Sequence, residues 1–258
     1  MLGQDKIREI TKQVLDMSKA DQTEVIVQTT DSALTRFANS YIHQNVAESN
    51  IEIRVRVVQG KKIGVSSSND ATPEGLKRIV DTARIIAQLQ PENLEFKSLP
   101  TAQTIQNVEA FVERTAKFTP EQRAQVVGVL CKKSKEKNLS AAGAFSTTSF
   151  EVAVANSLGV FAYHPGTVAD LNTVMMTDTG SGYASFTHQD AGKINAEAVA
   201  TSAIEKALRR NPSTQASTRS CWRNTPSKTC STFWHSFLFP RKPCKRNDHS
   251  CAAKSAKR

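Results

Sequence analysis

Asn50-Ile51-Glu52-Ile53-Arg54-Val55-Arg56-Val57-Val58 alternates apolar with polar or charged residues, the two-residue period of a strand buried on one side. Ile51, Ile53, Val55 and Val57 share one face, and Glu52, Arg54 and Arg56 share the other. The arginine face reads as solvated or helix-covered. Gln59-Gly60-Lys61-Lys62 is a turn, and Ile63-Gly64-Val65 returns antiparallel. Thr72-Pro73-Glu74 then offers a capping threonine with proline in the first helical turn, followed by an apolar stripe of Leu76, Ile79, Val80, Ala83 and Ile86. A one-sided strand and a one-sided helix this close together predict an α+β fold, with antiparallel or mixed sheets covered by amphipathic helices.

Working outward, Ile7, Ile10, Val14 and Leu15 recur at helical spacing, so a first helix is expected from about Gln4 to Lys19. Val25 and Val27 mark a short strand. Downstream, Leu89 to Ala116 is weakly periodic and reads as a long surface connection with some helix near Val108 to Glu113. Thr119-Pro120-Glu121-Gln122 is a capping box, and Ala124, Val127, Leu130 and Cys131 form the buried face of the helix it starts. Strands are expected at Ala144 to Thr148, Phe150 to Asn156, Val160 to Tyr163, Val168 to Thr177 and Tyr183 to Phe186, with a hairpin turn at Thr179-Gly180-Ser181-Gly182. Asn195 caps a last helix with Ala200, Ile204, Ala207 and Leu208 along one side, closed by Arg209 and Arg210.

Between the first strands lies Leu34-Thr35-Arg36-Phe37-Ala38-Asn39-Ser40-Tyr41-Ile42-His43-Gln44-Asn45, too polar for plain sheet filler. This stretch resembles the signature near the start of the TldD/PmbA family, and the resemblance extends from about residue 20 to Pro212. It implies the N-terminal α+β domain of a zinc-dependent metallopeptidase, a hydrolase of peptide bonds whose metal and catalytic residues belong to a later, β-rich domain. It further implies a peptide substrate, a homologous or identical partner subunit, and zinc for the intact family member, with no cofactor held by this chain.

The two halves share an order of elements. Phe37-Ala38-Asn39-Ser40 answers to Val154-Ala155-Asn156-Ser157, Arg54 to Val58 answers to Leu171 to Met175, Gly64 to Gly182, and the helix after Pro73 to the helix after Asn195. Repeat units of about 23–90 and 139–210 within a domain of 1–212 are therefore expected, each strand-rich and closed by a helix.

The composition breaks beyond that domain. Residues 213–258 hold ten of the 34 basic residues and one of the 24 acids, so 1–212 is near neutral. Cys221, Cys230, Cys244 and Cys251 and both tryptophans also lie in this tail, whereas Cys131 is alone before it. Shifting the reading frame over Arg219 to Lys228, with suitable synonymous codons, turns the segment into Val-Val-Leu-Glu-Glu-Tyr-Ala-Val-Lys, similar to the family's passage into its next domain. The tail is accordingly read as an out-of-frame, disordered basic segment. Its cysteines and histidines lack zinc-site spacing, and any nucleic-acid association through it is expected to be non-specific.

None of His43, His164, His188, His235 and His249 stands in the His-Glu-x-x-His pattern of a helical zinc peptidase. Cys131 on an apolar helix face reads as core. Arg36, Asn39 and His43 are candidates to line a substrate groove facing the missing domain. The plainer alternative gives Asn39 turn chemistry, Arg36 a carboxylate partner and His43 a half-exposed place in a sheet. The N-terminal residues lead into a helix rather than a signal sequence, and no run is long enough for a membrane span, which places the protein in the cytoplasm by expectation.

Overall fold

The alternation centred on Val55 belongs to a strand much longer than its apolar core. In the computed structural model, which describes residues 1–106 and 108–209, β1 (Gln22–Ala38) and β2 (Tyr41–Gln59) pair antiparallel along their whole lengths, from Gln22 opposite Val58 to Ala38 opposite Tyr41. The short strand expected at Val25 and Val27 is thus the first third of a 17-residue element. Ile51, Ile53, Val55 and Val57 do share a face, and the last three are buried.

The remaining elements follow as α1 (Gln4–Met17), β3 (Lys62–Ser68), α2 (Pro73–Leu89), α3 (Glu113–Ala116), α4 (Pro120–Glu136), β4 (Ser140–Asn156), β5 (Phe161–Met176), β6 (Ser181–His188) and α5 (Ala196–Leu208). The six strands form one antiparallel sheet in the order β3-β2-β1-β4-β5-β6. The five strand segments expected after Leu139 are therefore three continuous strands. Ser149, which separated two of the expected segments, continues β4 because β4 is paired on both edges, to β1 and to β5, so neighbouring strands hold a residue of low strand propensity.

The caps are where sequence places them. Thr72 Oγ1 accepts from Gly75 N at 3.1 Å, Thr119 and Gln122 form a reciprocal capping box, and Asn195 accepts from Ala198 N at 3.0 Å; each such cap is worth about 1 kcal/mol. Leu208 departs from expectation: it is 52% exposed at the end of α5, and Ala203 takes the buried place with Ala200, Ile204 and Ala207. Likewise Arg123 lies on the buried side of α4 with Val127, Leu130 and Cys131, while Ala124 is only half-buried.

Two apolar clusters form on the same face of the sheet. One joins α1 and α2 to β1 and β2 through Ile7, Val14, Val25, Ile53, Leu76 and Ala83; the other joins α4 and α5 to β4 and β5 through Leu130, Phe145, Leu171, Ala200 and Ala203. Phe37 of β1 sits in the second cluster, and Ala153 of β4 in the first. The order helix, three strands, helix thus occurs twice, and the halves meet where β1 pairs with β4.

Gly64 in β3 and Gly182 in β6 share one task. A Cβ on Gly64 would lie 2.0 Å from Ala83 O, and one on Gly182 would lie 2.1 Å from Ala203 O, so each glycine lets its outer strand press against its helix backbone.

The connection after α2 runs along one end of the sheet, tied by Asn93 N to Lys61 O (2.9 Å), Leu99 N to Gln22 Oε1 (2.8 Å) and Asn156 Nδ2 to Pro100 O (2.7 Å). Ala110 then bridges Gly166 of β5, beyond the stretch of that strand paired with β6. The helix expected near Val108 to Glu113 begins only at Glu113. The tail readings, including the cysteine and histidine spacing and the frame slip, concern residues outside those described.

Candidate functional site

The β1–β2 hairpin ends in a two-residue turn, Asn39-Ser40, with φ of 51° and 60°. Both values lie in the left-handed region that two-residue hairpin turns of this hand require, and Asn is the residue most tolerant of it after glycine. Asn39 therefore supplies turn chemistry. Ser40 is buried: its N–H donates to Ala141 O at 3.0 Å, its Oγ accepts from Ala141 N at 3.0 Å, and the hydroxyl lies 2.8 Å from Ser134 Oγ. The hairpin tip is thereby pinned to the start of β4 and the end of α4.

Alternate residues of the same stretch point inward or outward. Phe37 is core, and Thr35 is fully buried and donates to Asn45 Oδ1 at 2.5 Å. Arg36 is exposed and donates to Gln44 Oε1 at 3.3 Å, so its partner is a neutral amide rather than the carboxylate expected. His43 is the extra residue of a bulge, because Arg36 faces Gln44 while Phe37 faces Ile42, and its side chain is exposed rather than half-exposed. Arg36, Asn39 and His43 are thus gathered at one hairpin tip, and from Tyr41 to Glu52 the outer edge of β2 has no paired strand among the described residues.

Between the two helix pairs, the helix-bearing face of the sheet is polar. A cleft of about 220 Å³ opens there, floored by Asp31, Ala33, Ala47, Ser49, Thr147 and Ser149, with Phe118 and the end of α3 above. Arg123 stands beside it, 2% exposed: Nε donates to Thr35 Oγ1 at 3.2 Å, and Nη1 donates to Phe118 O at 2.8 Å and to Thr147 Oγ1 at 3.3 Å. Burial pushes its pKa down, only partly offset by the field of Glu121.

Nearby, Glu151 is fully buried and accepts four hydrogen bonds, from Leu2 N (2.7 Å), Gly3 N (2.8 Å), Thr29 Oγ1 (2.6 Å) and Tyr163 Oη (2.7 Å). Burial alone would raise its pKa, but these donors together hold it below the ordinary glutamate value. Asp31 behaves alike: burial raises it, and the Met1 ammonium and Ser49 bring it down.

Sequence reasoning missed Arg123, Glu151 and Ser40. The signal for Arg123 was its place one turn before Val127 on the buried stripe, and for Glu151 its alternation with Ala153 and Ala155.

The other histidines stand apart. His164 is tilted against Phe150, and His188 stacks on Phe186 while its Nδ1 accepts from Asp190 N at 2.9 Å. Among the described residues no three His, Cys, Asp or Glu side chains converge to hold a metal ion, so the donors present do not fit zinc. No helix among them is long and apolar enough to cross a membrane. Cys131 is buried, and burial pushes its thiol up, as for a core residue. Arg54 pairs with Glu52 at 3.1 Å and Arg56 with Glu24 at 3.5 Å, which accounts for the charged face of β2.

Residues 23–87 match the family described as PmbA/TldA metallopeptidase domain 1, and residues 100–211 match the PmbA/TldA metallopeptidase central domain. No curated protein matches the chain. Among solved structures, TldE from Thermococcus kodakarensis is similar with a TM-score of 0.69 at 18% identity, over 78% of this chain and 47% of its own. A candidate modulator of a DNA gyrase from Thermotoga maritima gives 0.68 at 14%, over 82% of this chain and 50% of its own. A protein described in the same terms from Bacteroides thetaiotaomicron gives 0.69 at 11%, over 83% of this chain and 52% of its own. At these identities the likeness is one of fold, and the chain spans about half the length of each solved relative.

Proposed function

The chain belongs to the TldD/PmbA family, and from that premise we propose that it is the substrate-access and subunit-contact part of a cytoplasmic peptidase whose zinc-dependent step is carried out by a portion not present here. The observation that carries this reading is the combination of matches to the first and central metallopeptidase domains with a donor set that does not fit zinc among the described residues. In this reading the chain alone does not hydrolyse peptides. Arg36 and His43, the outward members of the hairpin tip, face substrate, and Asn39 shapes the turn that presents them. The partner is a homologous or identical subunit.

The frame slip past Pro212 belongs to the same proposal. It is supported by the family match ending at residue 211, where the charge balance of the chain changes. The test compares this chain with a version whose downstream frame is restored, each supplied with zinc and an unstructured peptide. Turnover is expected only from the restored chain. There, Arg36→Ala with His43→Ala raises KM several-fold while kcat stays within about twofold, as loss of binding common to ground and transition states requires. Turnover by the present chain, equally dependent on zinc, would overturn the reading.

A second reading, a non-catalytic binding or assembly module with a basic tail, predicts salt-sensitive association with DNA that disappears when residues 213–258 are removed.

A further inference from the structure

The outer edge of β2 from Gln44 to Glu52 is unpaired among the described residues, because β3 reaches only as far as Ile53. Gln59 and Lys62 flank the two-residue turn Gly60-Lys61 and so exchange hydrogen bonds, which sets the odd-numbered residues of β2 to turn their N–H and C=O groups toward β3. Carried along the strand, Asn45, Ala47, Ser49 and Ile51 direct theirs outward beyond the end of β3, where no strand of the described residues receives them. Natural sheets close such edges with lysine, proline or a bulge. The bulge of β2 lies outside this stretch, at His43, and Gln44 to Glu52 contains neither lysine nor proline.

The corresponding edge in the other half of the sheet is occupied. Ser49 stands as far before Gln59 as Gly166 stands before Met176, and each lies beyond the reach of its outer strand, β3 in one half and β6 in the other. At Gly166 an extended segment of the chain itself runs parallel to β5: Ala110 bridges Gly166, Thr167 N donates to Ala110 O at 3.0 Å, and Val112 N donates to Thr167 Oγ1 at 3.0 Å. Among the described residues the fold thus seats an extended segment at this place in one half and leaves the matching place open in the other. Charge narrows the occupant. Tyr41 to Glu52 holds Glu48 and Glu52 and no lysine or arginine. Glu52 is answered by Arg54, whereas the exposed Glu48 is in no ion pair among the described residues.

We propose that the edge of β2 from Asn45 to Ile51 docks an extended, basic segment of a separate polypeptide as an additional strand, with its main chain paired to Ala47 and Ser49 and a lysine or arginine beside Glu48. Main-chain pairing supplies affinity with little regard to sequence, and the charge beside Glu48 supplies the preference. The site stands on its own observations and does not require that the chain or its parent hydrolyse peptides.

The experiment is fluorescence anisotropy of the full chain, without zinc, titrated against labelled Thr-Lys-Val-Lys-Val-Lys-Thr and its acidic counterpart Thr-Glu-Val-Glu-Val-Glu-Thr. The basic peptide is expected to bind at least about tenfold more tightly. N-methylation of every second amide, tried in both phases, is expected to abolish binding in one phase, since only one row of amides faces β2. Ala47→Pro removes an outward N–H at an exposed edge position, where proline is tolerated, and is expected to weaken binding at least about tenfold with an unchanged circular dichroism spectrum. Glu48→Lys, which leaves the main chain intact, is expected to bring the two peptides to within about threefold of each other. No binding of the basic peptide, equal binding of both peptides by the parent, full affinity in both methylated phases, or full affinity in Ala47→Pro would each overturn the proposal. So would a dimer in sedimentation that Ala47→Pro dissolves, because the edge would then belong to a second copy of the chain.

Discussion

Removing the hydroxyl of Ser40 would leave Ala141 N–H without the acceptor it now has 3.0 Å away and would break the contact with Ser134. An unsatisfied buried donor costs about 1–3 kcal/mol, so Ser40→Ala is expected to lower unfolding free energy by that amount in urea titrations, against less than about 0.5 kcal/mol for the exposed Arg36→Ala. Equal effects would show that the hairpin tip is not anchored through this hydroxyl. Glu151 makes a pH-dependent contribution. Its folded pKa lies below the ordinary value of 4.5, so the stability it confers is fully present above that value and is lost as pH falls through it toward the folded pKa. Stability measured from neutrality down to about pH 3 is therefore expected to fall less steeply in Glu151→Gln than in the parent, from a lower starting value. A parallel pair of curves would remove Glu151 from the acid response.

At the scale of elements, the two glycines that admit helices to the outer strands make matched predictions. Gly64→Ala and Gly182→Ala each force a Cβ to within about 2 Å of helix backbone, which cannot rotate away, so each is expected to cost at least about 1–3 kcal/mol by chemical denaturation. A neutral result at either site would mean that the close packing of β3 on α2, or of β6 on α5, is not required. Much of this level was legible in the sequence: capping threonines and Asn195 placed three helix starts, and the alternation around Val55 placed β2. The lengths of β1, β4 and β5 were not legible. Their Ser and Gly positions have no strand preference of their own and are kept extended by pairing, in β1 and β4 with partners on either side. Pro165 lies in the gap between the strands expected at Val160 to Tyr163 and Val168 to Thr177, yet β5 runs through it where the strand has no β6 partner. The candidate site was half legible. A resemblance singled out the hairpin tip, but the two buried charges on the helix-bearing face, Arg123 and Glu151, are residues that a local reading assigns to solvent.

For the whole molecule, the nucleotide sequence across the Pro212 codon and the mass of the expressed protein together test the frame: a continuous frame in the DNA and a matching mass would make residues 213–258 genuine. The seam between β1 and β4 bears on how the chain reaches its native state. Its partners run from Glu24 with Asn156 to Phe37 with Gly143, so it joins segments far apart in sequence, whereas each hairpin closes locally. Closing such long loops is entropically costly and slow, so the seam is expected to form after the local hairpins. Phe37 and Ala153 each lie in the other half's apolar cluster, so neither half completes its interior alone. Residues 1–209 are therefore expected to unfold as one cooperative unit despite their repeated order of elements, and two separate transitions in calorimetry would show that the halves melt independently.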